Sequence, residues 1–234
     1  MRQWVVLAVL GVAACGGTTA PGATGTPATT QTVNLRDFNA IALAGPDAVD
    51  VSRGPDFAVR IEATPEVRER LTIRRDGNVL RIGRKPVGMW TFQTGTAHIH
   101  ITMPSIGAAT LSGPGTITID QAGAPFVANV SGSGDMTIGQ VQGDKATLAV
   151  SGSGSIAAAG SVRELALSIA GSGGIRAQEV RAESATVSIT GSGEVAARVD
   201  GPAKVSLVGS GSATLGSGAR CVIRRVGSGE AHCG

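Results

Sequence analysis

From about residue 105 onward, apolar and polar side chains alternate with a period of two on both sides of a recurring glycine turn. Ser-Gly-Pro-Gly begins at Ser112, and Gly-Ser-Gly follows at Gly132, Gly152, Gly171, Gly191, Gly209 and Gly227, spaced 19, 20, 19, 20, 18 and 18 residues apart counting from Gly113. Two residues before the first glycine of each turn stand Leu111, Val130, Val150, Ile169, Ile189 and Leu207, and two residues after the last glycine stand Ile117, Met136, Ile156, Ile175, Val195 and Ala213. Thr, Ser, Ala, Gln and Arg fill the places between. Period-two alternation around a tight bend predicts strand, turn and strand with one face buried. A helix is excluded because no apolar face recurs at 3.6-residue spacing. A hexapeptide left-handed β-helix is excluded because a small apolar residue does not return every six positions.

A coil of about 19 residues with two or three short strands cannot bury its own apolar face, so successive coils must stack, with parallel strands about 4.8 Å apart. The expected fold is all-β: a parallel β-helix-like solenoid with two main sheets, coils of about 18–20 residues and glycine turns between the sheets. The turn glycines are Gly113 and Gly115, Gly132 and Gly134, Gly152 and Gly154, Gly171 and Gly173, Gly191 and Gly193, Gly209 and Gly211, and Gly227 and Gly229. They supply positive φ where a Cβ would strain the turn or strike the next coil.

Residues 33–104 fit less regularly. Leu43 to Val51 repeats the strand–glycine–strand logic, and Phe57 to Glu62 alternates. Pro65 to Arg70 predicts one helical turn. Strands are expected near Leu71–Arg75 and Val79–Arg84 around an Asp76-Gly77 turn, then a loop from Lys85 to Thr96, then a strand from Ala97 to Met103. Such irregular elements would cap the solenoid and stop coil-on-coil polymerisation.

The Gly-Ser-Gly series, together with Met103-Pro104 before Ser112-Gly113-Pro114-Gly115, the opening stretch from Phe38 to Val51 and the Leu80-Arg81-Ile82 strand, resembles the head GIN domain of bacterial envelope proteins. That family was once known only as a domain of unknown function. The resemblance covers roughly residues 33–234. It implies a β-helix-like fold of two sheets and a role in adhesion as an auto-transporter adhesin.

The N-terminus reads as an address. Arg2 precedes an apolar run from Trp4 to Ala14, long enough for a signal-peptide core and too short for a mature membrane-spanning helix. Val12-Ala13-Ala14-Cys15 looks like a lipobox, which predicts a lipoprotein signal peptide over residues 1–14 and a lipidated Cys15 carrying diacylglycerol and palmitate. The competing expectation is ordinary secretory cleavage near Ala14. Residues 15–32 then form a tether of Gly, Thr, Pro and Ala without charge, with a reach of roughly 20–25 Å as a coil. Gly16 after the lipid cysteine, rather than aspartate, resembles the outer-membrane default of diderm bacteria.

At the other end the repeat breaks, because Arg225 stands where the phase demands an apolar residue. Cys221 and Cys233 flank the last turn on the side expected to face inward. In an oxidising compartment a Cys221–Cys233 disulfide is the favoured expectation, with two buried thiols as the alternative. Such a loop contributes about 3 kcal/mol in the chain-entropy model.

Composition narrows the function. Glycine accounts for 35 of 234 residues, aromatic residues are 3% and tyrosine is absent, so the core must consist of Val, Ile, Leu and Ala, and base stacking on aromatic rings is excluded. Twenty basic and 17 acidic residues are too balanced for nucleic-acid or polybasic membrane binding. His98 and His100 share one strand face, but no third metal ligand is evident. Asp135, Glu194 and Glu230 follow glycine turns, but Ser155, Gly174 and Ser212 fill the same place in the intervening coils, which keeps these carboxylates about two coils apart, too far for paired chemistry. Asp144, Glu164, Glu183 and Asp200 lie beside Lys145, Arg163, Arg181 and Lys204, as a solvated corner would. Trp90 and Phe92 occupy the long loop, as an aromatic contact for sugar or protein or as a lid over the solenoid end. The expectation is a non-catalytic envelope lipoprotein without metal or cofactor, held to the membrane through Cys15, and binding protein or glycan. The alternatives are a periplasmic structural or regulatory protein and a β-helix carbohydrate-active enzyme.

Overall fold

The computed structural model describes residues 29–85 and 95–234. In chain order, β1 (Thr29–Val33) leads to β2 (Ala40–Ala44), which turns through Gly45-Pro46-Asp47 into β3 (Ala48–Arg53). Next come β4 (Ala58–Ala63), α1 (Pro65–Arg70), the hairpin β5 (Leu71–Asp76) and β6 (Val79–Arg84), and β7 (His98–Met103). The repeats supply β8 (Ala108–Ser112), β9 (Thr116–Gly123), β10 (Phe126–Gly132), β11 (Asp135–Gly152), β12 (Ser155–Gly171) and β13 (Gly174–Gly191). The last coils hold β14 (Glu194–Val199), β15 (Pro202–Gly209), β16 (Ser212–Thr214), β17 (Arg220–Val226) and β18 (Glu230–His232).

These strands wind as a solenoid. Strands entering the glycine corner form one wall, running β6, β2, β8, β10, the later halves of β11, β12 and β13, then β15 and β17, all parallel. Strands leaving the corner form the other wall, from β7 and β3 through β9 and the early halves of β11, β12 and β13 to β14, β16 and β18. Because β11, β12 and β13 run unbroken through the second corner, the two walls belong to one 18-stranded sheet curled on itself.

The register stacks each residue on its counterpart one coil away. Leu111, Val130, Val150, Ile169, Ile189 and Leu207 form one inward column, and Ile117, Met136, Ile156, Ile175, Val195 and Ala213 the facing one. All twelve are buried. Burying an aliphatic side chain stabilises by roughly 1.5–3 kcal/mol, so these columns contribute directly to the driving force for folding.

The two glycines of a turn have different tasks. Gly152 has φ +118°, a region that disfavours side chains, and its added Cβ would sit 2.5 Å from the Gly132 oxygen. Gly154 has ordinary φ, but a Cβ there would overlap the Gly134 carbonyl and press on Val130. Such close approach lets Ser153 and Gly154 both donate backbone N–H bonds to the Gly132 oxygen at 2.9 Å, while Ser155 donates to the Gly134 oxygen at 3.2 Å.

The N-terminal elements form the irregular end. Thr64 caps α1 by accepting from the Val67 N–H, Pro65 occupies its first turn, and Val67 is buried. β5 pairs antiparallel with β6, while β4 pairs antiparallel with β7 and β1 with β4. The sequence pattern assigned Thr29 to Thr32 to the tether, whereas they belong to strand β1. Backbone pairing with β4 orders them although their side chains remain exposed, a source of order that composition does not reveal.

Gly154→Ala should destabilise the fold by about 2 kcal/mol or more, the cost of forcing a methyl group into packed backbone. Gly123→Ala is the control, since nothing lies within 4 Å of its added Cβ, and it should change stability by less than about 0.5 kcal/mol. Urea denaturation of both variants measures the difference. Equal midpoints would refute the close-approach account of the second glycine.

Candidate functional site

Cys15, Trp90 and Phe92 lie outside the described residues. Cys221 and Cys233 are joined as a disulfide with their Cα atoms 6.2 Å apart, and both pack partly buried against the core. The bridge ties β17 to the residue following β18 and so spans the last glycine turn.

His98 and His100 project from β7 into solvent while Ile99 and Ile101 are buried behind them. His100 lies between two carboxylates, with Nδ1 3.5 Å from Asp50 Oδ2 and Nε2 3.8 Å from Glu62 Oε2. The carboxylates address opposite sides of the ring and do not converge on a common point. Among the described residues no three His, Cys, Asp or Glu side chains are grouped to hold a metal ion.

The acidic residues of the repeats are neutralised by adjacent coils or stand in solvent. Lys145 Nζ lies 2.6 Å from Glu164 Oε1, and Arg163 Nη2 lies 2.5 Å from Asp144 Oδ1, each pair bridging one coil to the next. Asp135 accepts a hydrogen bond from the Ser155 hydroxyl at 2.6 Å. These exposed pairs are each worth about 0–1 kcal/mol. At the start of α1, backbone hydrogen bonding and the Thr64 hydroxyl hold the Glu66 carboxyl below its ordinary pKa, a helix-terminus effect on a fully exposed group.

Among the described residues, a buried charge cluster escaped the sequence reading. Asp47 is fully buried and takes Arg84 Nε at 3.1 Å and Nη2 at 2.5 Å, together with the Ala97 N–H at 2.9 Å. Arg84 also donates to the Gly95 carbonyl at 2.9 Å. Asp47 stands where the repeat places the second turn glycine, since Gly45 and Asp47 are spaced like Gly113 and Gly115. That departure from Gly-x-Gly was the available signal. Through these bonds the cluster fastens the start of the segment that returns to β7.

What faces outward is a long wall of small side chains. Ala108, Thr110, Val127, Asn129, Thr147, Ala149, Ala166, Ser168, Thr186 and Ser188 occupy its outward positions across β8 to β13, and none is charged. Charge appears at its ends, as Arg74 and Arg81 on β5 and β6 and as Lys204 and Arg224 on β15 and β17. The concavities are shallow, and one of about 550 Å³ lies beside Lys204, Val222 and Arg224. Among the described residues no helix is long and apolar enough to cross a membrane.

The stacked coils and their shared glycine corner define a β-solenoid. Residues 37–218 match the family described as "Putative auto-transporter adhesin, head GIN domain", and the chain belongs to that family. No curated protein matches it. Three solved structures have the same fold. A "putative adhesin" from Bacteroides fragilis NCTC 9343 is 18% identical with a TM-score of 0.81, covering 89% of this chain and 98% of its own. A "putative adhesin" from Parabacteroides merdae ATCC 43184 is 21% identical with a TM-score of 0.69, covering 88% and 96%. A "putative lipid binding protein" from Parabacteroides distasonis ATCC 8503 is 18% identical with a TM-score of 0.70, covering 88% and 96%.

Two variants test these local structures. Asp47→Ala leaves Arg84 buried without its partner and should cost about 3–5 kcal/mol in thermal or urea unfolding. A loss below about 1 kcal/mol would show that the cluster is dispensable. Cys221→Ser with Cys233→Ser should release amide-exchange protection in β17 and β18 while the β10 to β13 interior stays protected. Unchanged exchange in the last coil would show that the bridge holds nothing that packing does not.

Proposed function

We propose that this chain is a non-catalytic lipoprotein of the bacterial cell envelope, anchored through Cys15, whose solenoid presents a rigid surface to a protein or glycan ligand. The observation that carries the reading is the uncharged outward wall of β8 to β13. Fixed by coil-on-coil backbone pairing, it offers extended contact at little further conformational cost. The adhesin-like family is consistent with it, and so is the dispersed arrangement of the carboxylates. The lipobox-like Val12-Ala13-Ala14-Cys15 supports the anchor, and Gly16 supports the outer membrane as its destination.

The test is protease shaving of intact cells, with fractionation of the wild type and of Cys15→Ala. The expected result is a membrane-bound, protease-sensitive wild type and a soluble variant. A wild type protected until lysis would sink the cell-surface reading and favour a periplasmic structural or regulatory role. A membrane-bound Cys15→Ala would sink the lipid anchor.

A further inference from the structure

The last coil is unlike those beneath it. β17 pairs with β15 on one side only, so among the described residues its other edge presents free backbone N–H and C=O groups. Val222 is 65% exposed, Val226 70% and Ile223 44%, three of the five large apolar side chains that are exposed among the described residues. Between them stand Arg224 and Arg225, and the strand carries no acidic residue. Arg224 lines the concavity of about 550 Å³ on the outward side with Lys204 and Val222. Arg225 takes the inward phase, stacked on Leu207, where every earlier coil has an aliphatic residue. This coil also lies beyond the residues 37–218 shared with the family.

We propose that the free edge of β17 is a docking site for an acidic, extended segment of another protein, which adds to the sheet as one further strand. The proposal deepens the ligand-binding reading above and rests on it. Strand addition draws affinity from the main chain and specificity from alternating side chains. Opposite residues 222 to 226 the incoming strand therefore needs two apolar residues, two carboxylates and one apolar residue. One carboxylate faces Arg224 on the outward side and the other faces Arg225 at the mouth of the core. A second copy of this chain fits poorly. Its opposite end on this wall is β5, whose Arg74 and Arg75 would meet Arg224 and Arg225, and like charges across a pair of strands repel. No segment of the chain itself fits either, because no two acidic residues are adjacent anywhere in the sequence.

Fluorescence anisotropy with the folded, disulfide-intact protein tests this with a labelled peptide Ser-Val-Val-Glu-Glu-Val-Val-Ser, which satisfies the pattern in either strand direction. Saturable binding is expected, with loss of at least about tenfold in affinity, or about 1.4 kcal/mol, for Arg224→Glu with Arg225→Glu. Both side chains are exposed, so the variant should keep its melting temperature, and it should gain affinity for the Lys-Lys version of the peptide. N-methylation of alternate backbone nitrogens should abolish binding without altering charge. Absence of binding would overturn the proposal. So would equal binding of Ser-Gly-Gly-Glu-Glu-Gly-Gly-Ser, which would mark a general polyanion patch, or indifference to the arginine substitutions. Cell shaving reads location and this assay reads the edge, so the two can fail separately.

Discussion

The contact on which the fold depends is backbone against backbone at the glycine corner. There the carbonyl of one turn accepts two N–H groups from the turn above, as Gly132 does from Ser153 and Gly154. Since that bond leaves no room for a Cβ, it forms only where both coils place glycine, and it locks the coils in one register. The apolar columns follow from the register, because a slip of one residue would turn every inward side chain to solvent. Coil length is then free to vary only at the other corner. Register shifts fall there, between Ile138 and Val141, Ala157 and Ala159, and Ala177 and Arg181, and absorb the spread between 18 and 20 residues.

A structure made by repetition has to stop, and its ends stop differently. At the N-terminal end the glycine ladder finishes on Asp47. Its backbone serves as the final rung, with the Asp47 oxygen 2.5 Å from where a Cβ on Gly115 would lie. Its side chain turns away from the ladder into Arg84 and the Ala97 N–H. A carboxylate is tolerated in a glycine position because no further glycine turn stacks upon it. Antiparallel β1, β4 and β5 then cover both walls. At the other end a disulfide holds the last described turn, and Arg224 and Arg225 stand exposed on β17.

These two solutions differ in how far the sequence discloses them. The repeat was legible because a local rule, period-two alternation around Gly-x-Gly, coincides with the global one and holds at six of the seven turns. The inward phase of the cysteines was legible for the same reason. The Asp47–Arg84 pair joins residues 37 apart along the chain and belongs to no period, so only the missing glycine hinted at it. The strand β1 was illegible in another way: it has no apolar face, and its order comes from pairing with β4. Ile223 obeys the phase yet remains 44% exposed, since phase fixes direction and burial needs a neighbouring coil.

The same logic locates specificity. Every regular coil offers nearly the same outward residues, so a ligand lying on β8 to β13 would gain similar contacts after a shift of one coil, about 4.8 Å along the axis. A surface of that kind can supply area and stiffness, but it cannot fix one register, because discrimination is a difference between alternatives and here the alternatives are nearly equal. Only positions that break the period make one placement better than its neighbours. They include the mixed-charge patch around Asp50, Glu62 and His100, the Lys145–Glu164 and Arg163–Asp144 pairs at the second corner, and the arginine-bearing edge of β17. Under the proposed binding role, recognition would have to engage such positions, with the wall between acting as a spacer or as an extension of contact.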